Sequence, residues 1–148
     1  MSLKILITDD DEDDHDILTA AFKTLRLGYH IEQLKSGEEL IKYLFKTELK
    51  ELPALIILDY NMPKLNGLET LKQIRSKSVF SKTPILIHST SDDYHLQQAL
   101  LSNGATAYVQ KRSSLKEIEE FVLAIDDYLK GDNKKLGLLS ETNISACL

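Results

Sequence analysis

The sequence predicts an α/β fold in which a doubly wound, five-stranded parallel sheet carries helices on both faces. Three observations predict it. Five short apolar runs alternate with five longer segments of helical periodicity. The run Ala54-Leu55-Ile56-Ile57-Leu58 is apolar without interruption, as in a strand covered on both sides. The 148 residues suffice for one domain with a sizeable core and leave little room for a second.

Leu3 to Thr8 reads as the first strand. A helix follows over Asp13 to Leu27, with Ile17, Leu18, Ala21, Phe22 and Leu25 on one face and Gly28 where a helix would end. His30 to Leu34 is a weaker second strand. Ser36 and Glu39 have capping-box spacing and open a helix carrying Leu40, Ile41, Leu44 and Phe45. After the third strand, Ala54 to Leu58, a loop with Pro63 and Gly67 leads to a helix at Leu68 to Arg75. Pro84 to His88 is the fourth strand; Ser91 is expected to cap a helix reaching Ser102, which Gly104 closes. Ala107-Tyr108-Val109 is a short fifth strand. Ser114 and Glu117 repeat the capping pattern before a helix with Leu115, Ile118, Val122, Ile125 and Leu129 on one stripe and Gly131 beyond it. The domain is expected to occupy 1–131. Residues 132–148, a mixture of Lys, Asn, Gly and Ser, are expected to be a flexible C-terminal tail without an output domain.

Composition removes several functions. Eighteen Lys+Arg against 23 Asp+Glu give a formal charge of −5, opposite to the basic stripe of a nucleic-acid binder. No apolar stretch approaches the ~20 residues that cross a bilayer. The N-terminus has no signal-peptide pattern. Cys147 is the only cysteine, which excludes an internal disulfide framework and a multi-cysteine zinc site. A reducing, cytoplasmic setting is the expectation.

In a doubly wound sheet, sites form beyond the carboxyl ends of the strands. Here those ends read Asp9-Asp10, Asp59, Ser89-Thr90 and Lys111. Singly, each has an ordinary explanation. An acid after a strand is often a loop residue, and Lys111 alone is a solvated lysine. Ser89 alone is a turn hydroxyl, and Asp11, Glu12, Asp13 and Asp14 serve the positive end of the first helix. Jointly, three carboxylates that converge repel one another and call for a cation. Oxygen ligands favour a hard ion, magnesium or calcium. A lysine and a hydroxyl beside it suit phosphoryl oxygens.

The chain resembles the receiver domain of two-component response regulators, in particular the single-domain, chemotaxis-regulator-like members. The segments that carry the likeness are Ile5-Leu6-Ile7-Thr8-Asp9-Asp10, Leu58-Asp59-Tyr60-Asn61-Met62-Pro63 with Asn66-Gly67, Pro84 to Ser89, and Gly104 to Lys111. The resemblance spans residues 3 to about 130. It implies a flavodoxin-like (βα)5 sheet of order 2-1-3-4-5. It also implies that Asp59 accepts the phosphoryl group and that Asp10 binds magnesium directly. Asp9 would act through a bound water and Asn61 would lend its backbone carbonyl. Ser89 and Lys111 would contact the phosphoryl group, and Tyr108 would report the switch. The implied partners are a sensor histidine kinase or histidine phosphotransfer protein, a downstream protein target and, in some members, a second copy. The implied role is that of a signalling switch, assisting its own phosphorylation and dephosphorylation, rather than of an enzyme.

Arg112 departs from the family, which has proline after the lysine, usually behind a cis peptide. A cis bond before a non-proline residue costs ~3–4 kcal/mol, so the reach of Lys111 is the point to check. The departure is the best support for the alternative, a pseudo-receiver that binds partners without phosphorylation. A haloacid-dehalogenase-like phosphatase needs a second acid where Asn61 stands. A flavodoxin needs a phosphate-cradling loop where the acids stand. His88, on a covered strand, is expected to be a core histidine.

Overall fold

The computed structural model describes residues 2–145, the last five as helix backbone alone. The elements are β1 (Lys4–Thr8), α1 (Glu12–Thr24), β2 (His30–Leu34), α2 (Gly37–Lys46), β3 (Leu55–Leu58), α3 (Gly67–Arg75), β4 (Ile85–Ser89), α4 (Tyr94–Ser102), β5 (Ala107–Gln110), α5 (Leu115–Leu129) and α6 (Lys134–Ser145). The strands form one parallel sheet in the order β2-β1-β3-β4-β5. The order reverses between β1 and β3, which opens a crevice at their carboxyl ends.

Alternation along the strands divides the core. Ile5, Ile7, Leu55, Ile57 and Val109 face a layer with Phe22, Phe121 and Ile125. Leu6, Ile56, Leu58, Ile85 and Ile87 face Leu40, Leu71, Leu100 and Tyr108. All four residues of β3 are buried, as its unbroken apolar run requires.

Side chains cap the helices. Asp11 accepts from the amides of Asp13 and Asp14 to start α1. The Ser36 hydroxyl accepts from Glu39 N, but the Glu39 carboxylate reaches back one residue further, to Lys35 N. Asn66 and Glu69 form a full capping box at α3 that the sequence reading did not identify.

Three expectations need correction. The first helix stops at Thr24 and not at Leu27, because Arg26 takes a left-handed conformation (φ 55°) that no helix continues through. The cap of α4 is Asp93, which accepts from His95 N and Leu96 N; Ser91 instead accepts from Asp93 N and shapes the preceding loop. The expected tail contains α6. Leu136 is buried among the residues of β5 and α5, with Leu139 packed beside it, and the Asp132 carboxylate accepts from Lys134 N at the start. Residues 146–148 lie outside the described part of the chain.

At the amino ends of β4 and β5, one guanidinium fastens three segments. Arg75 donates to the carbonyls of Gly104, Phe80 and Thr83 at 2.6–3.0 Å. Gly104 sits beneath it with φ 102°, a conformation and a closeness that only glycine accepts cheaply.

Candidate functional site

The site stands at the crevice between β1 and β3. Parallel registry sets Thr8 beside Leu58, so Asp9 and Asp59 leave the sheet side by side, and Asp59 N donates to Thr8 O at 2.9 Å. Oxygens from Asp9, Asp10 and Asp59 lie within 4.8 Å of one another. Asp9 and Asp59 are buried and Asp10 is exposed. The Asp9 backbone is tied on both sides. Its N donates to Leu34 O, and the buried His15 ring bonds its carbonyl through Nε2.

The loop after β3 approaches closely. Gly67 N donates to Tyr60 O at 2.9 Å, and a Cβ on Gly67 would lie 2.7 Å from Tyr60 Cα and 2.8 Å from Asp59 O. Glycine at this place lets α3 begin directly beneath the acid. Asn61 is exposed in the same loop, and its amide hydrogen-bonds the Asp59 carboxylate.

Lys111 arrives from the end of β5. Its Nζ lies 2.6 Å from Asp9 Oδ2, 2.8 Å from Asp14 Oδ2 and 3.7 Å from Asp59 Oδ1. The described residues contain no cis peptide, so Lys111-Arg112 is trans, and the lysine still reaches the acids. Arg112 is exposed and turns toward Glu117, 3.7 Å away. Asp14, which the sequence reading assigned only to the helix end, is therefore a member of the lysine's ion-pair set. The two residues are 97 apart in sequence, and no local pattern links them.

The electrostatics follow from burial and crowding. Burial above all, with the charges of Asp9 and Asp10 added and Lys111 pulling against them, pushes the Asp59 carboxyl up to about 7. Burial works against the Lys111 ammonium, but hydrogen bonds to Asp14 and Asp9 outweigh it and hold its pKa above the ordinary lysine value. Three carboxylates sharing one ammonium are short of positive charge. A hard divalent cation among Asp9, Asp10 and Asp59 would supply it, and their all-oxygen donor set fits magnesium.

Ser89 and Tyr108 sit on the neighbouring strands. Ser89, at the end of β4, is fully buried and its Oγ accepts from Ser91 N at 3.3 Å. Tyr108, on β5, is fully buried with its hydroxyl donating to Ser91 O at 2.6 Å. His88 turns to the opposite face, stacks on Phe121 with centroids 4.5 Å apart and is held neutral, mainly by burial, with a pKa of about 3. It packs against Phe121 but is half-buried rather than enclosed, so the expectation of a covered core histidine is met only in part.

Residues 5–123 match the family model described as the response regulator receiver domain. The chain is 30% identical to the chemotaxis protein CheY1 of Helicobacter pylori over 84% of its own length and all of that protein. It is 36% identical to the alkaline phosphatase synthesis transcriptional regulatory protein PhoP of Bacillus subtilis over 84% of its own length, and spans about half (49%) of that relative. Among solved structures, the phosphorylated cyanobacterial phytochrome response regulator RcpA superposes with a TM-score of 0.78 at 24% identity, covering 88% of this chain and 96% of that one. No helix among the described residues is long and apolar enough to cross a membrane.

Proposed function

The chain belongs to the response regulator receiver domain family of two-component systems, and from that premise we propose that it is a magnesium-dependent switch with Asp59 as phospho-acceptor. The observation that carries the reading is the gathering of Asp9, Asp10 and Asp59 within 4.8 Å, with the Lys111 ammonium 3.7 Å from Asp59.

Asp9 and Asp10, with Asp59 and the Asn61 carbonyl, would hold the magnesium ion. When bound, it supplies the charge neutralisation that phosphoryl transfer needs. An Asp59 carboxylate oxygen attacks phosphorus in line. The bond from phosphorus to the donor nitrogen, a phosphohistidine of a sensor kinase or phosphotransfer protein, breaks, and that nitrogen keeps the electron pair. Lys111 pairs with a phosphoryl oxygen. The added charge draws the Ser89 hydroxyl, which releases Ser91 N. Tyr108 is tied to the same Ser91 and moves with that loop, so the change reaches a face where a downstream protein reads it. Hydrolysis by water restores the carboxylate and releases inorganic phosphate.

The pseudo-receiver reading drew its support from Arg112, and that support weakens because Lys111 reaches the acids without the usual proline. The test is incubation with phosphoramidate and magnesium, read by intact-mass spectrometry. One phosphoryl group should add to the wild type and none to Asp59→Asn, and chelation of the metal should abolish labelling. An unlabelled wild type, or equal labelling of the variant, overturns the proposal.

A further inference from the structure

We propose that Asp14 is a positioning residue that competes with the phosphoryl group for the positive charge of Lys111, and so sets how tightly Asp59 holds its load. The inference rests on the phospho-acceptor reading above and goes beyond it to the regulation of that site.

Asp14 is not needed for the start of α1. The cap is Asp11, whose carboxylate takes the amides of Asp13 and Asp14. Nor does Asp14 belong to the group of acids that gather at the crevice, which are Asp9, Asp10 and Asp59. Its carboxylate meets the Lys111 ammonium 2.8 Å away, and the pair is unequal in burial: 11% of the lysine side chain is exposed against 40% of the aspartate. A half-exposed carboxylate thus reaches in and takes hold of an enclosed cation.

That cation has three donors. Two are engaged by Asp9 and Asp14, and Asp59 stands beyond hydrogen-bond distance at 3.7 Å. A metal ion drawing on Asp9 leaves Asp14 as the lysine's remaining close partner. A phosphoryl group on Asp59 adds negative charge beside the same ammonium. Asp14 then offsets part of the field that would hold it, and its own charge repels the newcomer. The consequence has a sign that depends on the ligand. The Asp14 charge favours the cation and disfavours the anion.

The experiment titrates the full chain with magnesium alone, and then with beryllium fluoride at saturating magnesium, at low ionic strength, following the amide resonances of residues 59–61 and 89–91. Asp14→Asn is expected to bind magnesium at least about threefold more weakly and beryllium fluoride at least about threefold more tightly, with both changes shrinking in high salt. Asp14→Ala should give the same signs, and Asp14→Glu should return both constants toward wild type. A merely structural loss weakens both ligands together. Unchanged or weaker beryllium fluoride binding in Asp14→Asn overturns the inference and leaves the phospho-acceptor reading standing. A wild type that takes up no beryllium fluoride with magnesium overturns both.

Discussion

The Tyr108 hydroxyl donates to the main-chain carbonyl of Ser91 at 2.6 Å, while the Ser91 amide donates to Ser89 Oγ at 3.3 Å. One residue of the β4–α4 loop thus joins the buried tyrosine of β5 to the hydroxyl at the end of β4. Tyr108→Phe keeps the ring and its packing and cuts the tie. The expected loss is about 1 kcal/mol of stability, and amides 91–93 should exchange faster with solvent. Unchanged exchange there would show that the tie does not restrain the loop.

Leu136 tests whether α6 is part of the fold. Its side chain is 3% exposed and packs in the cluster of Ala107, Val109, Phe121 and Val122. Leu136→Ala should cost about 2–5 kcal/mol in urea unfolding, the range for truncating a buried leucine. A loss below about 0.5 kcal/mol, ordinary for an exposed position, would mean that α6 is not docked in solution.

Gln97 carries an unusual burden. It is fully buried in α4, and neither atom of its amide has a hydrogen-bond partner among the described residues. Gln97→Met retains the shape and removes the desolvated amide, so the melting temperature should rise, by a gain of about 1–3 kcal/mol. A lower melting temperature would point to a partner for the amide, such as an ordered water.

The raised Asp59 carboxyl gives a pH dependence with a definite sign. In the unfolded chain an aspartate titrates near ~3.9, whereas in the metal-free fold Asp59 titrates at about 7. Between those values the folded state binds more protons than the unfolded one, so the Asp59 contribution to stability falls as pH rises through the window and levels off above it. Asp59→Asn lacks this titration. Without metal, its melting temperature should match wild type near pH 4, gain on it up to pH 7 and keep a constant lead beyond. Saturating magnesium should erase the lead. A difference independent of pH would refute the assignment.

What the sequence made legible was local. Each strand is an apolar run, Ser36 and Ser114 stand three residues before their glutamates, and the acids and lysine follow the strands directly, so fold and crevice were readable from neighbours in the chain. Asp14 was not, because its partner lies on the far side of the sheet order and only the folded sheet brings them together. The last helix escaped because two leucines three residues apart, in a polar stretch, look no different from a loop until β5 and α5 supply the surface they cover. Ser91 and Asp93 are both good capping residues, and the turn between them decided which one caps.

Arg75 determines where movement can occur. By fastening the carbonyls of Gly104, Phe80 and Thr83, it anchors β4 and β5 at the ends opposite the acids. Beyond that anchor β4 is held to β3 and β5 along its length, down to Lys111 N donating to Ser89 O at 2.7 Å, so the strand does not swing as a body. With the strand pinned at both ends, a disturbance at the acids is steered sideways into the β4–α4 loop instead of loosening the whole sheet.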